Sequence, residues 1–332
     1  MRIRLAVTTL ALATALTAGA ALPTTAATPA SSAPASANPT VQDILDHLPD
    51  DVVAGALIRR DGVGATAGPV TADAYVRIGS VTKAFTNTVV LQLVAEHRIG
   101  LDTPARRYVP QMLPEAYNRV TVRHLLDHTS GLPKPAPTAG PADGPGWQLK
   151  SVTPEDFLRD SFVAATDAPP APGSEQQYNG LNSFVLGLIV EKVTGHSFTS
   201  ELQRRIIRPL HLRHTSLPAA ADLDRFITAL FRGSLLPPAQ QKLVFEVPNV
   251  KSAADNTNCV GQAACYSIGG LLRYQLPSGE YACGKTGSRP GWGNGFFATR
   301  DLRHRVVYSL NPTGTGNDLP YIKAIVNAAL AD

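Results

Sequence analysis

The feature that most constrains this chain is where its strand patterns fall: at the two ends, with a long, mainly helical middle between them. Val52 to Arg60 is apolar enough for a strand, Asp61-Gly62 signals a turn, and Ala74 to Ile78 reads as a second strand. Short apolar runs return only late, at Ile268 to Tyr274, Tyr281 to Lys285, Gly295 to Thr299 and Arg305 to Leu310, before a last helical stretch from Leu319 to Leu330. An isolated hairpin cannot bury its apolar face, so a compact fold has to join the two ends in one sheet. The expectation is an α+β fold, an antiparallel sheet flanked by helices. Residues 40–95 and 251–332 supply its two parts, and the mainly helical region 96–250 is inserted between them.

Within the middle, apolar residues recur at helical spacing from Ser80 to about His97, with Val81, Phe85, Val89, Leu93 and Val94 on one face and Gly100 as the stop. Thr121 to Asp127 predicts a short helix before the turn His128-Thr129-Ser130-Gly131, and a Pro- and Gly-rich loop follows to about Trp147. Asn182 to Val193, Phe198 to Ile207 and Ala221 to Phe231 are further helix candidates.

The first 27 residues combine a basic start, an Ala/Leu stretch and small residues, and read as a secretory signal peptide. Residues 28–39, rich in Pro, Ala and Ser, read as a flexible linker, so the folded part starts near Thr40. The expected location is therefore extracellular, with no membrane contact after removal of the signal. Thirty basic against 26 acidic residues point to no nucleic-acid partner, and a monomer is the default. Export permits disulfides among Cys259, Cys265 and Cys283, but spacing chooses neither a pair nor between a bridge and buried thiols.

Three elements can carry chemistry. Ser80-Val81-Thr82-Lys83 opens a helix, and spacing i to i+3 puts hydroxyl and amine on one face. A serine hydroxyl needs an adjacent base to become a nucleophile, and a helix start offers N–H groups to an oxyanion. About one such tetrapeptide arises by chance in a chain of this length, and Ser is also a favoured helix cap. Tyr178 follows the Pro/Gly loop from Pro169 to Gly173, and nearby cations would let it exchange protons. Lys285-Thr286-Gly287 lies on a late strand and offers a cation, a hydroxyl and room for a substrate backbone at the strand edge. Gly291, Gly293 and Gly295 lead from strand to strand, which suits a turn rather than a phosphate loop, and no GxSxG is present.

In this order the three elements resemble the serine beta-lactamase and penicillin-binding protein superfamily, nearest to class C beta-lactamases and secreted D-alanyl-D-alanine carboxypeptidases. The resemblance is carried by RIGSVTKAFTNTVVLQLVAEHRIGLD, VTVRHLLDHTSGLP, APGSEQQYNGLNSFVLGLIVEKVTGHSF and YACGKTGSRPGWGNGFFATR. It implies Ser80 as acylated nucleophile, Lys83 as its proton partner and Tyr178 as general base and acid. It further implies Lys285 and Thr286 as carboxylate binders alongside Gly287, an oxyanion hole from the N–H groups of Ser80 and Ser288, and no metal or cofactor. His128 takes a structural role, holding its loop against the nucleophile helix.

Three departures stand out. Gly180 occupies the place of a substrate-orienting Asn in the family, leaving Asn179 as a candidate substitute. The segment between Leu217 and Ala221 and the stretch between the first two strands are shorter than in the family. The resemblance implies a carboxypeptidase or beta-lactamase-like hydrolase acting on a small peptide, beta-lactam or ester. An esterase of the same fold and a catalytically weakened penicillin-binding or scaffold protein are the alternatives.

Overall fold

The computed structural model describes residues 40–47, 51–71, 73–136, 153–166, 168–212, 220–256, 259, 261, 263–314 and 317–331. The signal peptide, the linker, most of the loop up to Trp147 and the short stretch after Leu217 lie outside the described residues.

In chain order the regular elements are α1 (Val41–Asp46), β1 (Val53–Arg60), β2 (Val63–Ala67), α2 (Thr82–Ala95), α3 (Val122–Leu126), α4 (Pro154–Val163), β3 (Glu175–Gln176), α5 (Leu181–Thr194), α6 (Phe198–Leu202), α7 (Ala220–Arg232), α8 (Pro238–Leu243), β4 (Lys251–Ser252), β5 (Leu272–Gln275), β6 (Tyr281–Arg289), β7 (Trp292–Thr299), β8 (Arg305–Pro312) and α9 (Leu319–Ala329). Both chain ends meet in one six-stranded antiparallel sheet of order β2-β1-β8-β7-β6-β5, which is the α+β arrangement the strand pattern demanded.

The second strand differs from expectation. Asp61 and Gly62 both have positive φ, 49° and 93°, so the chain reverses in two residues and Val63 pairs at once with Arg60. Ala74 to Ile78 is left outside the sheet and leads into the next turn, apart from one bridge residue at Tyr75. Likewise β5 begins at Leu272 rather than Ile268, because Gly270 has φ 75° and Gly269 lies so close to Val244 that a Cβ would stand 2.4 Å from its carbonyl oxygen. Sequence reasoning also missed α1, α4 and α8.

One core fills the space between the sheet and the helical region, with Phe85 of α2 stacked on Phe226 of α7 at 3.7 Å. A second lies on the opposite face, under α1 and α9. Every residue of α2 from Ala84 to Leu91 is buried, so this helix is enclosed on nearly all sides rather than on one face, and its run of apolar and small residues suits that position. Asp224 of α7 ties the helical layer to the sheet, accepting from Arg305 Nε at 2.7 Å and Arg59 Nε at 3.4 Å. No helix among the described residues is long and apolar enough to cross a membrane.

Candidate active site

Ser80 lies in the middle of a tight turn, Gly79–Val81, immediately ahead of α2. Its side chain caps no helix N–H. Instead Lys83 Nζ, one turn on, donates to Ser80 Oγ at 3.1 Å. The i to i+3 spacing therefore produces the juxtaposition that the sequence predicted.

The turn is fixed against β6 by two glycines. Gly79 has φ 48°, and a Cβ there would lie 2.6 Å from Ser288 O and 3.0 Å from Ser288 N. A Cβ at Gly287 would stand 2.0 Å from Ile78 O. Only backbone fits between the nucleophile turn and the strand, which brings the Ser80 and Ser288 backbones side by side. Asn294 of β7 secures the same junction, its Nδ2 donating to Arg77 O at 2.6 Å.

β5 pairs with β6 only from Tyr281 to Gly284. Past that point, from Lys285 to Arg289, β6 presents an unpaired edge among the described strands, where an extended substrate can lie. Ser80, Tyr178, Lys285, Thr286, Gly287 and Ser288 all line one cleft of about 320 Å³.

Tyr178 completes the arrangement. The Lys285 and Lys83 ammonium groups approach its ring centroid to 4.8 and 5.1 Å. Burial alone would raise the phenol pKa; Lys285 first and Lys83 second reverse this and bring it down to about 8. The hydroxyl is buried without a well-aligned hydrogen bond, so the charges act mainly through space, helped by the nearness of Lys83 and Ser80. Lys285 is itself buried, and burial together with Lys83 lowers it to about 8 against the pull of Tyr178. Its Nζ donates to Thr286 O at 2.9 Å.

Two expectations need correction. Asn179 is no substrate ligand: it is buried, Nδ2 donates to Leu132 O and Pro133 O at 2.9 and 2.7 Å, and Oδ1 accepts from Leu181 N at 2.9 Å. Both N–H groups of that amide and one acceptor site of its oxygen are used within the protein. His128 holds its loop against the Tyr178 segment, not the nucleophile helix, with Nδ1 facing Asn182 Nδ2 at 2.9 Å and Asn179 N at 3.3 Å. Asn87 of α2 makes the contact assigned to His128, donating to Leu126 O and Ile268 O at 3.1 and 2.8 Å.

Gln176 and Tyr266 were not legible in the sequence. Tyr266 stacks on Tyr178 with ring centroids 4.9 Å apart, and Lys285 Nζ lies 5.5 Å from its ring. The bridge Cys259–Cys265 settles the cysteine question and ends beside Tyr266; Cys283 stays free. No local spacing marks these residues, because their partners are distant in sequence. In the glycine series only Gly291, with φ 75°, serves the turn, while Gly293 and Gly295 lie within β7.

The chain matches the Beta-lactamase family over residues 41–222. Protein flp of Staphylococcus aureus is 32% identical over 143 residues, covering 42% of this chain and 27% of that protein. Esterase EstB of Burkholderia gladioli is 31% identical over 192 residues, covering 54% of this chain and 47% of the esterase. The chain thus spans less than half the length of these curated relatives. A D-stereospecific amidohydrolase from Streptomyces sp. superposes with TM-score 0.71 at 26% identity, covering 87% of this chain and 97% of that one. With the family match extending over more than half of the chain, and with Ser80, Tyr178 and the Lys285 strand lining one cleft and Lys83 bonded to Ser80, the chain belongs to the beta-lactamase family of serine hydrolases.

Proposed function

We propose that this protein hydrolyses a small amide or ester through an acyl-enzyme on Ser80. The observation that carries the reading is the 3.1 Å hydrogen bond from Lys83 to Ser80 Oγ beside a tyrosine whose pKa is drawn down to about 8. A hydroxyl so placed has a base within reach near neutral pH.

In the proposed sequence, Ser80 Oγ attacks the carbonyl carbon while its proton passes to the Tyr178 phenolate. Lys83 and Tyr178 titrate together and share this role. The N–H groups of Ser80 and Ser288 receive the developing oxyanion. Collapse returns the proton to the leaving amine or alkoxide, which departs and leaves the acyl group on Ser80. Water then attacks the ester as Tyr178 takes its proton, and the acid is released with the Ser80 hydroxyl restored. Lys285 keeps the phenolate accessible.

Amide and ester hydrolysis is favoured over release of a C-terminal residue from a peptide. Lys285, expected to hold the terminal carboxylate, is buried and spends one of its three N–H donors on Thr286 O, which weakens that role. The words esterase and amidohydrolase in the names of two similar proteins accord with this choice. We further propose that the protein is exported, a reading in keeping with the Cys259–Cys265 bridge, which an oxidising compartment preserves.

The test is acylation and turnover with activated esters, amino acid anilides and a fluorescent beta-lactam. Covalent labelling and turnover both lost in Ser80→Ala, and slowed about 100-fold or more in Lys83→Ala, support the proposal. Labelling without turnover of any substrate would favour a binding protein instead.

A further inference from the structure

Beyond Ser288 the cleft continues along β7 to the start of α9, where Asp318 lines it. An Asp that precedes a helix ordinarily turns its carboxylate onto the first N–H groups of that helix. Asp318 makes no such bond. Asn317 acts in its place, its Oδ1 accepting from Leu319 N at 3.1 Å. Among the described residues the Asp318 carboxylate has no hydrogen bond and no ion pair.

Its position is built by a glycine. A Cβ at Gly293 would stand 2.8 Å from Asp318 Oδ2, so the carboxylate occupies space that a side chain there would take. Gly293 pairs with Ser288, and Ser288 abuts Gly79, the residue before the nucleophile. Ser80 and Asp318 thus line one continuous cleft that runs past the β6–β7 pair. Apolar Phe297, Leu319 and Ile322 line the same cleft. Of its two lysines, Lys285 is buried and bonded to Thr286 O, and Lys323 is exposed five residues along α9. A carboxylate whose electrostatic neighbour is the buried Tyr308 phenol, with no cation bound to it among the described residues, attracts a cation and repels another carboxylate.

We infer that Asp318 sets the specificity of the Ser80 site, and that the preferred substrate is an ester or amide carrying an ammonium group. The inference rests on Ser80 being the nucleophile. The substrate bridges Ser80 and Asp318, with its apolar part against Phe297 and Ile322.

Three nitrophenyl esters of one chain length, ending in an ammonium, an acetamide or a carboxylate, test this with the full protein. Wild type is expected to prefer ammonium over carboxylate by about 10- to 100-fold in kcat/KM, mostly through KM, with the preference weakening as salt rises. Asp318→Asn should collapse the preference and Asp318→Lys should reverse it, with melting curves reporting whether each variant is folded. Equal rates for the three esters in wild type, or a preference that survives in a folded Asp318→Asn, would overturn the assignment. So would a preference for the carboxylate ester that vanishes in Lys323→Ala. Ser80→Ala separates the two claims: if it still turns over the esters, the nucleophile is wrong, whereas lost turnover without ammonium preference in wild type removes only Asp318.

Discussion

Gln176 holds the backbone of Tyr266 with both ends of its side-chain amide, Nε2 donating to the carbonyl at 2.8 Å and Oε1 accepting from the N–H at 2.9 Å. The same amide donates to Asp127 O at 2.7 Å and accepts from Cys265 N at 2.8 Å. Three separate segments are therefore joined through one buried side chain: the His128 turn, the Tyr178 loop and the end of the disulfide. Replacing it with Ala leaves two carbonyls and two N–H groups buried without this partner. Gln176→Ala is expected to lose about 3–4 kcal/mol of stability in urea unfolding. A loss under 1 kcal/mol would mean that water or a local shift takes over these bonds.

The two lysines around Tyr178 make activity depend on pH in a defined direction. With the phenol at about 8, roughly one tenth is ionised at pH 7. Activity should rise as pH passes through 8 and level off beyond, because Lys285 also loses its proton near 8 and with it part of its hold on the phenolate. The kcat/KM profile checks this, and Tyr178→Phe is expected to lose the rising limb along with about 100-fold or more in rate. A limb that persists in the phenylalanine variant would transfer the base role elsewhere.

Gly180 has helical φ and ψ of −65° and −33°, and the nearest atom to a Cβ placed there is Pro135 Cγ at 4.0 Å. The site therefore has room for the amide that the family resemblance led one to expect there. Gly180→Asn should fold with stability within about 1 kcal/mol of wild type, since the change restricts the unfolded chain without straining the native one. Its effect is expected in KM for amide substrates, through an added hydrogen bond. Unchanged KM in a folded variant would show that the new side chain does not reach the substrate.

His128 couples stability to acid. Burial, followed by the charges of Lys83 and Lys285, holds its pKa well below the usual 6.5. The folded state thus excludes a proton that the unfolded chain accepts, so the contribution is present above about pH 6.5 and is lost as pH falls below it. Asp127, raised to about 6 chiefly by burial, acts in the opposite sense between about pH 4 and 6, favouring the folded state as it protonates. In His128→Asn, which suits the local φ of 62°, the fall in stability between pH 7 and pH 5 should shrink. Urea midpoints at both pH values measure it.

Residues three apart on one helix, or adjacent on one strand, keep their relation in any fold that preserves the element. That is why Ser80 with Lys83, and Lys285 with Thr286 and Gly287, were legible from sequence, as was the union of both chain ends in one sheet. The tertiary structure decided what depends on the packing of separate segments. It chose Cys265, at a sequence separation of 6, over Cys283 for Cys259, turned Asn179 inward, gave Gln176 and Asn87 their carbonyls, and brought Asp318 over Gly293. A buried amide is defined by what it meets, and a partner 39 or 181 residues away leaves no periodic trace in the chain.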